Sequence, residues 1–133
     1  MKAYSDYRPI AKSKTDVEVR VEGHTLRLFF DYEELTYKVK EGGKIVTKKQ
    51  LRYESVDVEG VREYDNIVSA IIRDHYSDNE VQAILANYVE VNNTASVLAL
   101  TPEKKEEYLQ EYATFQQWRN HAKEVAQKAL QLI

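Results

Sequence analysis

The spacing of the apolar residues changes near Gly60, and this change most constrains the fold. Before Gly60, apolar and polar residues alternate, which is typical of antiparallel strands with one buried face. After Gly60, apolar residues recur every three or four positions, as in amphipathic helices. The sequence therefore predicts a single α+β domain, with an antiparallel β-meander of four or five strands over residues 16–60 and three helices over residues 61–133.

Four runs of alternating residues mark the predicted strands. They are Val17–Val21, Leu26–Phe30, Leu35–Val39 and Leu51–Tyr53. Gly23 and the Gly42-Gly43 pair separate strands, and glycine readily adopts the positive φ of a tight hairpin. The alternation changes parity after Ser55, which predicts a bulge or a strand end there.

Charge is distributed unevenly along the chain, whose net charge is −3. Residues 1–15 hold four basic groups and one acidic group, which predicts a basic, solvated N-terminal tail. The remainder of the chain is net acidic and therefore repels nucleic acid at long range. Binding to nucleic acid would need a local basic face.

Capping signals divide the helical half. Asp65 is positioned to cap the first helix, and Ser77 with Glu80 has the form of a capping box before the second. A polar turn is expected over residues 92–96. Thr101-Pro102 is a strong start signal for a third helix, which meets no further proline or glycine. A helix of about 30 residues would be about 45 Å long. We expect it to carry more apolar surface than a domain this small can cover.

This long helix is the predicted contact with a partner. Tyrosine and tryptophan suit surfaces that are apolar at one end and wet at the other, so they favour interfaces. The predicted partner is another protein or a second copy of the chain, which would make a homo-oligomer. The residues assigned to this contact are Tyr108, Tyr112, Phe115, Trp118 and Arg119.

A basic hairpin offers nucleic-acid binding as the alternative. Lysines interleaved with aromatic residues on a sheet can hold a single strand, whose bases stack on the rings. Tyr37 and Tyr53, however, share parity with the apolar residues and are expected on the buried face, away from the lysines. Nucleic acid is therefore the less favoured partner. Its candidate residues are Lys38, Lys40, Lys44, Lys48, Lys49 and Arg52.

Catalytic and metal-binding motifs are absent from the sequence. There is no cysteine, phosphate-binding glycine loop or nucleophile elbow, and the three histidines (His24, His75 and His121) lie far apart. We therefore predict no catalytic residue, no metal and no cofactor. An enzyme is the second alternative, and it would need a pocket that unites His75 or His121 with two carboxylates.

Membrane and export signals are likewise not seen in the sequence. No apolar run approaches the roughly 20 residues that span a bilayer, and residues 1–15 contain no apolar signal region. The expected location is the cytoplasm, or a virion if the chain derives from a phage.

Two segments of the helical half resemble small accessory proteins of bacteriophage and prophage tail regions. The first runs from Asp65 to Ser77, with the sequence DNIVSAIIRDHYS. The second is the tyrosine-rich stretch Glu107–Tyr112, followed by Phe115 and by residues 119–123. The resemblance implies a structural or assembly role and assigns no active-site residue. The sequence thus predicts a non-enzymatic structural, assembly or protein-interaction protein.

Overall fold

The computed structural model describes residues 1–6, 14–93 and 100–133. Over these residues the chain forms a four-stranded antiparallel sheet followed by three helices, which confirms the predicted α+β fold. The elements are β1 (Lys2–Asp6), β2 (Glu18–Glu22), β3 (Thr25–Glu41), β4 (Lys44–Glu59), α1 (Tyr64–His75), α2 (Asp78–Asn92) and α3 (Pro102–Leu130). Within the described ranges, no helix combines the length and the hydropathy needed to cross a membrane.

Strands β3 and β4 form a long hairpin at the centre of the sheet, whose strand order is β1-β4-β3-β2. Glu41 pairs with Lys44 across the turn, where Gly42 and Gly43 have φ angles of 57° and 77°. Positive φ at both central positions is typical of a tight type I′ hairpin turn, which glycine adopts without strain. The predicted Gly-Gly hairpin is therefore confirmed.

The first residues of the chain form an edge strand. β1 pairs antiparallel with β4, from Lys2 opposite Glu54 to Asp6 opposite Gln50. The predicted solvated tail was therefore wrong for residues 2–6. These residues are too few and too polar to show alternation, and their partner strand lies about 50 residues away in the sequence. The tail residues 7–13 lie outside the described ranges.

A bulge interrupts β3 near its middle. The pairing steps from Phe30 opposite Glu54 to Glu33 opposite Arg52, so β3 has one residue more than β4 over this stretch. Asp31 lies in the bulge with a φ of 56°, a conformation that aspartate tolerates better than most side chains. Before the bulge, the even-numbered side chains of β3 face the core side of the sheet. Beyond it, the odd-numbered side chains face that side.

β4 runs past Ser55 without a register shift, so the predicted bulge or strand end there was wrong. Successive side chains of a strand point to opposite faces. Leu51 and Tyr53 therefore face one side of the sheet, and Val56 and Val58 face the other. The change of parity in the sequence reflects a strand that has apolar residues on both faces.

The hydrophobic core lies between one face of the sheet and helices α1 and α3. Its buried members are Leu26, Leu28, Phe30, Val56 and Val58 from the sheet, Ile67 and Ile71 from α1, and Ala122, Val125, Ala126 and Ala129 from α3. Three of the four α3 residues are alanines, and such small side chains allow the helix backbone to lie close to its neighbours. The C-terminal half of α3 is thereby fixed against the domain.

The helix starts agree with the sequence in two cases out of three. The first helix begins after Glu63, which makes no side-chain capping bond, and Asp65 lies inside its first turn, so Asp65 was wrongly predicted as the cap. Ser77 and Glu80 form the predicted capping box, in which the Glu80 N–H donates to the Ser77 Oγ at 3.1 Å. The predicted cap of α3 is also confirmed, because the Lys104 N–H donates to the Thr101 Oγ1 at 3.2 Å.

α3 is one unbroken helix of 29 residues, about 44 Å long at 1.5 Å per residue. The predicted long terminal helix is therefore confirmed. Most of the turn expected over residues 92–96 falls on residues 94–99, which lie outside the described ranges.

Replacing a fully buried residue of the sheet tests this core. We expect Leu28→Ala to lower the free energy of unfolding by about 2–5 kcal/mol, because it removes buried methyl groups and leaves a cavity. Urea unfolding measures the change. The exposed Leu132→Ala is the control, with an expected change within about 0.5 kcal/mol. Equal losses in the two variants would contradict the assignment of the core.

Candidate functional site

Two of the aromatic residues predicted to bind a partner instead join the helices to each other. Phe115 is only 3% exposed and packs edge-on against Tyr76, with ring centroids 5.2 Å apart. Tyr112 stacks on Tyr88 of α2, with ring centroids 3.7 Å apart and planes 12° from parallel. Phe115 is therefore not part of a free surface, and its assignment to partner binding was wrong.

The remaining α3 candidates differ in their surroundings. Trp118 stacks on His75 at 3.7 Å, and its indole N–H donates to the Ile71 carbonyl oxygen at 3.3 Å. Tyr108 is half-buried and Arg119 is exposed. The chain itself thus covers much of the apolar side of α3, contrary to the expectation that this helix would carry more apolar surface than the domain can cover. Partner binding through Tyr108 and Arg119 stays a prediction.

A buried carboxylate lies at the junction of β1, β4 and α1. Glu54 is 2% exposed and accepts hydrogen bonds from the Met1 ammonium at 3.2 Å and the Lys2 ammonium at 3.0 Å. The His75 Nε2 lies 3.2 Å from the same carboxylate. Burial acts to raise the pKa of Glu54, but the hydrogen bonds outweigh it and hold the pKa below its ordinary value. The first strand is therefore tied to the end of α1 by charge.

His75 and Glu54 form a wider group with Asp74. One ligand atom from each of the three lies within 4.8 Å of the others, so the group has the donor types that a cation could use. Glu54 already has cationic partners, which a metal would have to displace. Asp74 also lines a cavity, but Glu54 and His75 are not among the residues that line it. The enzyme alternative is thus matched only in part and stays a prediction.

That cavity, of about 1270 Å³, opens on the sheet face opposite the core and extends to the flank of α1. Its described lining includes the rings of Phe29, Tyr32 and Tyr53, which contact one another edge-on or tilted. The Tyr32 hydroxyl donates to Glu18 at 3.0 Å, and burial together with this bond raises the pKa of Tyr32. Arg20 lies 5.4 Å above the Phe29 ring. The cavity thus presents aromatic rings, and the polar groups beside them already have partners within the chain.

A second ion pair connects the bulge to α3. The His121 Nε2 lies 2.6 Å from the Asp31 carboxylate. The bond to Asp31 raises the pKa of His121, although burial opposes it. The imidazole also lies edge-on to Phe30, with centroids 6.0 Å apart. Sequence reasoning missed this pair, because the two residues are 90 positions apart and no local pattern connects them.

The β3–β4 hairpin continues beyond the rest of the sheet as a two-stranded arm, residues 34–49. β2 pairs with β3 only as far as Phe29, and β1 pairs with β4 only as far as Gln50. In the described part of the chain, the arm therefore has no third strand. Its β3 side, residues 34–41, would span about 26 Å at about 3.3 Å per residue.

One face of the arm, called here the apolar face, carries four apolar side chains beside charged ones. The pairing of Tyr37 with Lys48 and of Val39 with Val46 places Leu35, Tyr37, Val39 and Val46 on a common face. The sequence predicted that Tyr37 would be buried and away from the lysines, but Tyr37 is exposed and has a lysine directly opposite. The prediction was wrong because the hydrophobic core that α1 and α3 form with this side of the sheet includes no residue of the arm.

The residues predicted to contact nucleic acid lie on the arm and at its base. Arg52 lies at the base and binds Glu33, and this bond lowers the pKa of Glu33. Lys49 pairs with Glu34 at 3.0 Å. The five exposed lysines on the arm are Lys38, Lys40, Lys44, Lys48 and Lys49. The predicted basic set therefore lies along one hairpin but is divided between its faces, with Lys38, Lys40 and Lys49 on one and Lys44, Lys48 and Arg52 on the other.

Comparison with known proteins finds no match to a family model, to a curated protein or to a solved structure. The resemblance of the helical half to phage tail accessory proteins accordingly stays a prediction. The candidate site rests on the geometry of the arm.

The pair between His121 and Asp31 predicts a pH-dependent stability. Because the folded-state pKa of His121 is raised, its stabilisation is complete below the unfolded value of about 6.5 and is lost as the pH rises through the folded value. We expect His121→Gln to lower the free energy of unfolding more at about pH 5.5 than at about pH 8.5. The loss should be at most about 1 kcal/mol, because the imidazole is 36% exposed.

Urea unfolding of both proteins at the two pH values measures this difference. The exposed His24→Gln is the matched control for the loss of a histidine outside this pair. A loss for His121→Gln that is equal at the two pH values, or larger at the higher one, would contradict the assigned role of the pair.

Proposed function

We propose that the chain is a non-enzymatic interaction and assembly protein, and that the arm is its contact element. The observation that carries this proposal is the apolar face of Leu35, Tyr37, Val39 and Val46 on a hairpin that extends past the sheet. None of these four residues belongs to the buried core. Tyr37 and Val46, the exposed members of this set, therefore add little to the core and are accessible to another molecule.

Physical chemistry supports a contact role for such an arm. A two-stranded hairpin alone is only marginally stable in water, because half of its backbone groups and both of its faces remain hydrated. A contiguous exposed apolar patch on a protein often marks an interaction site. Contact with a partner would cover the apolar face and stabilise the arm. The resemblance to phage tail accessory proteins implies an assembly role as well.

A photo-crosslinking amino acid placed on the arm tests this proposal. We expect the crosslinker at position 37, on the apolar face, to give a discrete adduct in an extract of the source cells. The same group at position 36, one residue away on the opposite face, is the matched control and should give much less of that adduct. Gel mobility and mass spectrometry identify the adduct.

The two positions differ only in the face of the arm on which they lie. Equal adducts at positions 36 and 37, or none at either, would contradict a contact role for the apolar face. Circular dichroism of both variants checks that they are folded.

Nucleic-acid binding is the second candidate, and one observation favours it. Lys38, Lys40 and Lys44 are exposed and have no ion-pair partner among the described residues. A two-stranded β-ribbon fits the major groove of DNA. The acidic remainder of the chain opposes this candidate at long range.

Salt dependence tests the second candidate. If the arm binds DNA, changing Lys38, Lys40 and Lys44 to Gln should lower the slope of log K against log salt by about 3, one for each lost phosphate contact. Fluorescence anisotropy of a labelled mixed-sequence duplex measures the slope. No binding by the unaltered chain at low salt would remove this candidate.

A further inference from the structure

Two regions of the chain carry opposite charge. The arm, residues 34–49, holds five lysines and two glutamates, for a net charge of +3. Helix α2 holds three acidic residues and no basic residue, for a net charge of −3. The adjoining first turns of α3, residues 102–112, hold four glutamates and two lysines, for a net charge of −2. We call α2 and these turns the acidic helical surface.

Both regions also expose apolar side chains. On the arm, Tyr37 is 41% exposed and Ile45 is 70% exposed. On the acidic helical surface, Leu85, Val89 and Leu109 are 42%, 62% and 43% exposed. Leu85 and Val89 are four residues apart, so they lie on one face of α2. Each region thus combines exposed apolar groups with a net charge of one sign.

Helix α2 has an unusual position in the fold. None of its residues is buried, although the stack of Tyr88 on Tyr112 fixes it against α3. An amphipathic helix normally buries one face, and α2 instead keeps Leu85 and Val89 in solvent. It is therefore held in place with an apolar and acidic side left open.

We propose that the arm of one copy docks on the acidic helical surface of a second copy. This inference rests on the proposed function and names the partner of the arm. Lys44 and Lys48, which share the apolar face by register, would face carboxylates, and the apolar side chains of that face would cover exposed apolar residues of α2 and α3. Complementary charge gives such a contact its orientation and its speed of formation.

Other occupants fit the arm less well. A second arm would bring two charges of +3 together, and edge lysines are a common means of preventing strand-to-strand association. DNA would neutralise the lysines but leave the apolar face uncovered. Only a partner that is acidic and apolar satisfies both features, and the chain itself carries such a surface.

This contact is heterologous, because it joins different surfaces on the two copies. Each added copy therefore leaves one free arm and one free acidic helical surface. Such contacts continue into open filaments unless the rotation between copies closes them into a ring.

Two variants, each lacking one surface, test the proposal. In the first, residues 37–48 are replaced by Asn-Gly, which removes the arm. In the second, Glu90→Lys and Glu106→Lys reverse charge on the acidic helical surface. We expect the unaltered chain to exceed its 15.5 kDa monomer mass in sedimentation equilibrium, increasingly with concentration and less at high salt. Each variant alone should remain a monomer. Mixed, they should form a 1:1 complex, whose mass is the sum of the two variants, and nothing larger.

Control variants keep the result interpretable. Glu63→Lys with Glu124→Lys makes the same change in net charge outside both surfaces and should assemble like the unaltered chain. If the arm deletion does not fold, as judged by circular dichroism, Tyr37→Ser with Val46→Ser replaces it as the arm variant.

Several results would overturn the proposal. They are a monomeric unaltered chain at every concentration and salt tested, assembly that survives either variant, and a mixture that stays monomeric. A chain that stays monomeric but gives an adduct with a different protein at position 37 would overturn this inference and leave the proposed function standing. Retention of DNA by a monomeric chain would assign the arm to nucleic acid instead.

Discussion

The bulge at Asp31 divides the long hairpin into two parts with different roles. Before the bulge, alternate residues of β3 face α1 and α3, and Leu26, Leu28 and Phe30 are buried there. After the bulge, the strand has changed face, and the hairpin extends as the arm. His121 binds Asp31 from α3, so the point of division is attached to the longest helix. Both the core and the exposed arm depend on this one register shift.

The high tyrosine content has several structural uses. Tyr88 and Tyr112 fix α2 to α3, Tyr76 covers Phe115, and Tyr32 reaches Glu18 across the outer face of the sheet. In each contact the ring packs against an apolar or aromatic neighbour. Tyr37 differs, since it lies exposed on the arm. These tyrosines, a residue type that suggested an interface in the sequence, therefore make internal contacts, whereas Tyr37 lies on the exposed arm.

Local signals in the sequence were sufficient for much of the fold. Gly42-Gly43, the Ser77 capping box and Thr101-Pro102 act within a few residues, and the structure confirms all three. The edge strand β1, the bulge at Asp31 and the covering of α3 by its own chain depend on residues far apart. No pattern of neighbouring residues encodes them. The basic set of the arm could be predicted from the sequence, but the exposure of Tyr37 could not, because it depends on how far the helices extend over the sheet.

The attachment of β1 has a consequence for the order in which the chain acquires its structure. The β3–β4 hairpin and the three helices form from residues near one another, whereas β1 must wait for a partner strand that is made about 50 residues later. Closing so large a loop is slow relative to local pairing, and chains are synthesised from the N-terminus at about 5–20 residues per second. Lys2 and Glu54 would therefore meet only after most of the sheet exists. The ion pairs around Glu54 then fasten β1 to the edge of a hairpin that has already formed.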